Sequence, residues 1–274
     1  SCLTTSVLDR FRIVRAASGF CRFSGLGLHP VPGMRYIACE MDMYQRTKLL
    51  IGQSGVDTLR RAHVAVFGVG GVGSHAVEGL ARAGVGRLTL VDCDRVVESN
   101  LNRQLEATTH SLGRLKVEAM AERVQSINPD IEVSAVPRKF DAYSAEELLS
   151  PAYSYVVDAI DTLSFKVRLI EMCVMRDIPL VSSMGAASRM DPAEIRTGTL
   201  FATRQCPLAK MVRKRLRRRG ITEDIPVVYS EELPLIPPDD ADYPIAERQR
   251  ASSPNGTISY MPALFGFHCA AHVI

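Results

Sequence analysis

No apolar run in the 274 residues approaches the roughly 20 that a membrane-spanning helix needs, so no helical membrane protein is expected. No Cys-x-x-Cys occurs either, which leaves a zinc site built from cysteine pairs without support. The seven cysteines are odd in number and share no short spacing, which argues against a disulfide framework and for a reduced, cytoplasmic setting. A strong net charge is also missing. The total is +3, and residues 1–40, with five arginines against Asp9 and Glu40, carry all of it. Any affinity for nucleic acid must therefore come from local clustering of cations. What remains is an ordinary globular composition, 46% hydrophobic and 23% charged, long enough for one large domain.

Residues 1–40 are arginine-containing and nearly free of acids, which has something of a transit peptide. Their helical periodicity is patchy, so the segment reads instead as an extension upstream of a chain whose own start is Met41 or Met43. The fold is expected in residues 41–274, with a core over 60–190 and a C-terminal extension over 191–274.

The organising stretch begins at Val64. A buried apolar strand, Val64–Phe67, runs into Gly68, Gly70, Gly71 and Gly73 and then into a helix, and a second strand, Arg87–Val91, ends at Asp92. This is the G-x-G-x-x-G turn in its required strand-to-helix setting, with an acid about 20 residues on. Such glycines let the backbone approach phosphates, while the helix N-terminus offers N–H groups and a positive dipole end. Strands are then expected at Ile131–Val136, Tyr153–Ile160 and Pro179–Met184, alternating with helices at Arg114–Asn128 and Phe165–Arg176. That alternation predicts an α/β, doubly wound, mostly parallel sheet of Rossmann-like type. A helical lead-in is expected over Tyr44–Ala62.

The residues after Asp92 decide which nucleotide is bound. The chain continues with Asp94, then Ser99-Asn100-Leu-Asn102-Arg103-Gln104, then Lys116 in GRLKVE, and later DAIDT at Asp158–Thr162. With GVGGVGS and VDCD, these motifs resemble the ATP-dependent adenylating enzymes related to ubiquitin-activating enzyme, the ThiF, MoeB and HesA type. The resemblance implies ATP and Mg²⁺. Asp92, together with Asp94, would hold the ribose hydroxyls, Arg103 and Lys116 the triphosphate, Asn100 would fix it, and Gln104 and Thr162 would line the site. Asp161, beyond the C-terminal end of a parallel strand, would carry Mg²⁺; Asp158 reads either as a support behind the ligand-binding residues or as structural. Arg46, six residues before Gly52, matches an arginine that MoeB-like proteins extend across a homodimer to the partner's ATP. A solvated surface arginine is the plain alternative.

Beyond Met184, the segments SSMGAASRMDP, CPLAKMVRKRLRRRGI and VVYSEE resemble one branch of that family, the tRNA threonylcarbamoyladenosine dehydratases. The extension would be α+β, with a helix between Pro207 and Gly220, a long Pro- and Asp-rich loop over 231–256, a short strand at Thr257–Tyr260 and a last helix over Pro262–Ile274. Lys210, Arg213, Lys214, Arg215, Arg217, Arg218 and Arg219 put seven cations in ten residues, spread around the helix. On spacing alone that is a solvated face; the branch makes tRNA the partner. Cys206 reads as a packing group at the helix start, with thioester chemistry as the sharper alternative.

The activity so implied is adenylation of the threonylcarbamoyl carboxylate, followed by ring closure with release of AMP and pyrophosphate. A second reading adenylates the C-terminus of a ubiquitin-like sulfur carrier, with a cysteine desulfurase as a further partner. A nicotinamide dehydrogenase and a non-catalytic nucleotide scaffold are the readings from other classes.

Overall fold

Near-continuous apolar runs suit parallel strands covered on both faces. His63–Phe67 (β1), Arg87–Val91 (β2), Tyr155–Asp158 (β4) and Leu180–Ser183 (β5) are such strands, and the less covered Glu132–Val136 (β3) joins them at the sheet edge. The computed structural model describes residues 43–236 and 256–274, so the expectations for residues 1–40 and for most of the long loop lie outside the described residues. Helices are Gln45–Arg61 (α1), Gly73–Ala83 (α2), Lys116–Ile127 (α3), Ala145–Leu148 (α4), Leu163–Met175 (α5), Pro207–Arg217 (α6) and Tyr260–Val273 (α7). Residues Arg46–Ile274 make one compact unit.

Two further strands, Ile195–Thr199 (β6) and Pro226–Ser230 (β7), join the same sheet, which runs β3-β2-β1-β4-β5-β7-β6. All neighbours are parallel except β6, which is antiparallel to β7. The β strands of the C-terminal extension therefore lengthen the central sheet. No strand forms at Thr257–Tyr260, where the chain is irregular and then enters α7 at Tyr260. Pro262 is harmless there, because the first N–H groups of a helix have no partner within it.

Alternation along each strand divides the core in two. Ala65 and Phe67 face a cluster closed by α4, α5 and α6, and Val64 and Val66 face one closed by α2, α3 and α7. The doubly wound arrangement follows directly. In α1, Val56 and Leu59 are buried, but Leu49 and Leu50 are exposed, and Gly52 breaks the helix at φ 71°.

The strand order reverses between β1 and β4, opening a crevice beyond their C-terminal ends. In register, Phe67 pairs with Val91 and with Asp158, and Val91 with Val136. Gly68, Asp92 and Ala159 therefore leave the sheet at one level, beside each other.

Candidate active site

The turn after β1 has no room for a side chain at two of its glycines, Gly68 and Gly73. Gly68 has φ 87°, and a Cβ on it would stand 2.7 Å from the Ala159 carbonyl oxygen. A Cβ on Gly73 would stand 1.8 Å from the Gly68 carbonyl oxygen, so this glycine lets α2 start against the strand end. Gly73 does not line the cavity that opens here; Gly68, Gly70 and Gly71 do. The cavity measures about 810 Å³, ample for a nucleotide.

Asp92, Asp94, Arg103, Gln104, Lys116, Asp161 and Thr162 all line it, so seven of the expected site residues from separate segments converge. Asp92 accepts the Val69 N–H at 2.7 Å and the Asp94 N–H at 2.8 Å, which fixes its carboxylate under the glycine turn. Burial raises its pKa above the usual carboxylate value, against the pull of those two N–H groups and of Lys116. Lys116, 5% exposed, donates to Asp94 Oδ2 at 2.9 Å. Arg103, half-buried, donates to the Ser99 carbonyl at 2.7 Å and to Asn102 Oδ1 at 2.8 Å, which holds its guanidinium on the cavity wall. Gln104 Oε1 is buried without a hydrogen-bond partner among the described residues, an acceptor open to a donor such as a nucleotide hydroxyl or amine.

Asp161 is exposed and accepts from the Thr162 hydroxyl at 3.2 Å. Asp92, Cys93 and Asp94 are the one group of three metal-capable side chains close together among the described residues. Asp94, however, holds Lys116, and Asp92 accepts two backbone N–H groups. The carboxylate freer to accept a hard cation is Asp161, and Mg²⁺ typically asks a protein for only one or two, taking phosphates and water for the rest.

Two expected residues lie elsewhere. Asn100 is buried in the Ser99–Gln104 loop, where its Oδ1 accepts the Val97 N–H at 3.1 Å; it braces the loop and does not line the cavity. Arg46 is exposed on the first turn of α1 and does not line it either. Cys206 is buried at the start of α6, also off the cavity wall.

Several residues at the site are absent from the sequence-based expectations, and four of them bear on its chemistry. Arg138, Lys139 and Phe140 come after β3 and line the cavity, with Lys139 Nζ 4.7 Å from the Phe165 ring centroid. The strand-end rule that singles out Asp92 and Asp161 points at them too. Beneath the floor, Lys166 is wholly buried and donates to Asp158 Oδ2 at 2.7 Å, to the Ser183 carbonyl at 2.8 Å and to Ser182 Oγ at 3.2 Å. This network ties β4 to β5 through Asp158, beneath the cavity.

The basic helix is less uniformly charged outward than its sequence suggests. Ala209, Val212 and Leu216 make a buried face. Arg213 turns inward to the Leu200 and Thr203 carbonyls, Arg217 covers Phe201 at 5.1 Å, and Arg219 pairs with Glu171. Lys210, Lys214 and Arg218, spaced four apart, form one exposed row.

A glycine turn at the reversal point of a doubly wound sheet, ringed by cations and acids, defines a nucleotide-binding α/β protein. The chain belongs to the ThiF family, which residues 44–274 match. It is 39% identical to the tRNA threonylcarbamoyladenosine dehydratase of Bacillus subtilis over 238 residues, 85% of this chain and 94% of that protein. The solved structure of the Escherichia coli tRNA N6-threonylcarbamoyladenosine dehydratase in complex with ATP superposes with a TM-score of 0.75 at 35% identity, over 84% of this chain and 91% of that one. Similarity to the sulfur carrier protein adenylyltransferase of Thermus thermophilus, 38% identical, spans 58% of each chain. Among the described residues no helix is long and apolar enough to cross a membrane.

Proposed function

We propose that this protein is an ATP-dependent dehydratase of threonylcarbamoyladenosine in tRNA. The observation that carries this is the convergence of Arg103, Lys116 and Asp161 on one cavity around the glycine turn. A hydride-transferring site has no use for that concentration of phosphate-seeking charge, whereas attack on an α-phosphate depends on it. A carboxylate is a poor electrophile because its leaving group would be oxide. Its oxygen attacks the α-phosphorus, pyrophosphate departs, and the acyl adenylate then loses AMP as the substrate's own ureido group closes the ring. One carboxylate oxygen leaves in AMP and one ureido proton goes to solvent, so water is removed overall.

The chain's residues orient and neutralise. Arg103 and Lys116 take the charge of the phosphates, Lys116 giving up Asp94 to do so. Asp92 accepts from the ribose, and the unpartnered Gln104 Oε1 takes a nucleotide donor. Mg²⁺ on Asp161 would offset further charge as the phosphates separate. Arg46 serves the site of a second copy in a homodimer, and the row Lys210, Lys214 and Arg218 meets tRNA phosphates in the cytoplasm. The sulfur-carrier reading is weaker, since the likeness to such an enzyme stops at little more than half of the chain.

The test is incubation with ATP, Mg²⁺ and tRNA bearing threonylcarbamoyladenosine, weighing the nucleoside for loss of one water and measuring AMP. Arg103→Ala should lower turnover by about a hundredfold or more, as for other lost transition-state charge partners, with thermal unfolding unchanged. Pyrophosphate exchange driven only by a sulfur-carrier protein would overturn the assignment.

A further inference from the structure

A second cavity, of about 490 Å³, adjoins the first, and Thr257 lines both. Arg189 lies in its wall at 3% exposure, and its Nε and Nη2 are buried without a hydrogen-bond partner among the described residues. A guanidinium cannot shed its proton to escape burial, so an unpaired one at this depth is a standing cost to the fold. Among the described residues the neighbouring acids do not relieve it. Glu232 spends its carboxylate on the Met190 and Asp191 N–H groups, and Asp191 Oδ1 accepts the Ala193 N–H. Among the described residues the rim is apolar, with Met190 and Leu235 about half exposed and Ile236 at 90%.

We infer that Arg189 anchors an oxyanion of the acceptor tRNA, while the apolar rim takes a base or ribose face beside it. The inference rests on the tRNA-dehydratase reading and extends it to the second substrate. The position suits this role. The loop carrying Arg103 is tied to the shared wall by Asn102 Nδ2, which donates to the Thr257 carbonyl at 2.9 Å. An acceptor seated in the second cavity therefore presents its carboxylate next door to the phosphates. A phosphodiester and the threonyl carboxylate both offer a guanidinium two oxygens in the same fork geometry.

The experiment uses the full chain and two probes, an unmodified anticodon stem-loop carrying phosphates only and the free threonylcarbamoyladenosine nucleoside carrying the carboxylate only. Arg189→Gln should weaken at least one of them about tenfold, the probe affected identifying the oxyanion, with ATP binding unchanged. If the stem-loop is the one affected, the slope of log affinity against log salt should fall by about 0.7 to 0.9 for the lost phosphate contact. Arg189→Lys should keep that slope while losing affinity with the fork. Should the Gln variant fail to fold, hydrogen exchange on the wild type decides, with protection of residues 186–190 and 256–258 by the stem-loop or the nucleoside expected and its absence in both fatal. Wild type that releases no AMP with modified tRNA sinks the parent reading. Wild type that does, with Arg189→Gln binding both probes equally well, sinks this one.

Discussion

Replacing Glu106 by Gln removes a carboxyl that is 4% exposed, with neither oxygen hydrogen-bonded among the described residues. Burial pushes its pKa from an ordinary 4.5 to about 7, against the pull of the nearby Lys116 charge. Between those two values the folded chain keeps a proton that the unfolded chain has lost. The carboxyl's contribution to stability is therefore complete below 4.5, declines as pH rises towards 7, and is gone above it. At about 1.4 kcal/mol per unit, the loss amounts to about 3 kcal/mol. His63 and His75, both lowered by burial, push the other way, since their folded forms shed protons first and gain stability as pH rises. They are common to both proteins and cancel in the difference. Urea unfolding of wild type and Glu106→Gln at about pH 5 and about pH 8 should show the variant gaining about 3 kcal/mol relative to wild type over that interval. A fixed offset is expected from the buried amide. A difference of the same size at both pH values would refute the reasoning.

Lys166→Met strands the fully buried Asp158 carboxylate on the Ser182 hydroxyl and the Ile160 N–H, and should cost about 3–5 kcal/mol in denaturant unfolding. Asp158→Asn with Lys166→Met should recover most of that loss, and a single variant as stable as wild type would sink the account of the network. Lys210→Ala with Lys214→Ala should flatten the salt dependence of tRNA binding by about one to two units of slope, at unchanged stability. Arg213→Ala should do the reverse, because that side chain braces the Leu200–Thr203 turn; equal salt slopes in all three proteins would count against the exposed row.

The parts of the site that are legible in the sequence depend on local chemistry. A glycine turn between strand and helix, acids where parallel strands end, and a loop carrying Arg103 and Gln104 declare themselves within a few residues. Lys139 obeys the same rule but is harder to see, because β3 is an edge strand with no buried position to mark its end. The strands β6 and β7 are harder still. Ile-Arg-Thr-Gly-Thr has little apolar signal, and its antiparallel partner is a separate run beyond the basic helix. Asn100 shows the limit of motif reading, because its side chain shapes the loop that presents Arg103. Arg189 is illegible in principle. Nothing in its neighbours says that its charge lies buried and unpaired, a property created only when distant segments close over it.

Helix α7 is made long after the first functional turn, yet it lies against it. Pro262 stands where a Cβ on Gly71 would be 3.0 Å away, and a Cβ on Gly266 would be 2.3 Å from the Val72 carbonyl oxygen. During synthesis, then, the phosphate turn near residue 70 must wait some two hundred codons for the segment that buttresses it. A chain that ended before α7 would hold every signature residue of the family from Gly68 to Thr162 and still lack Pro262, which lines the cavity beside the turn.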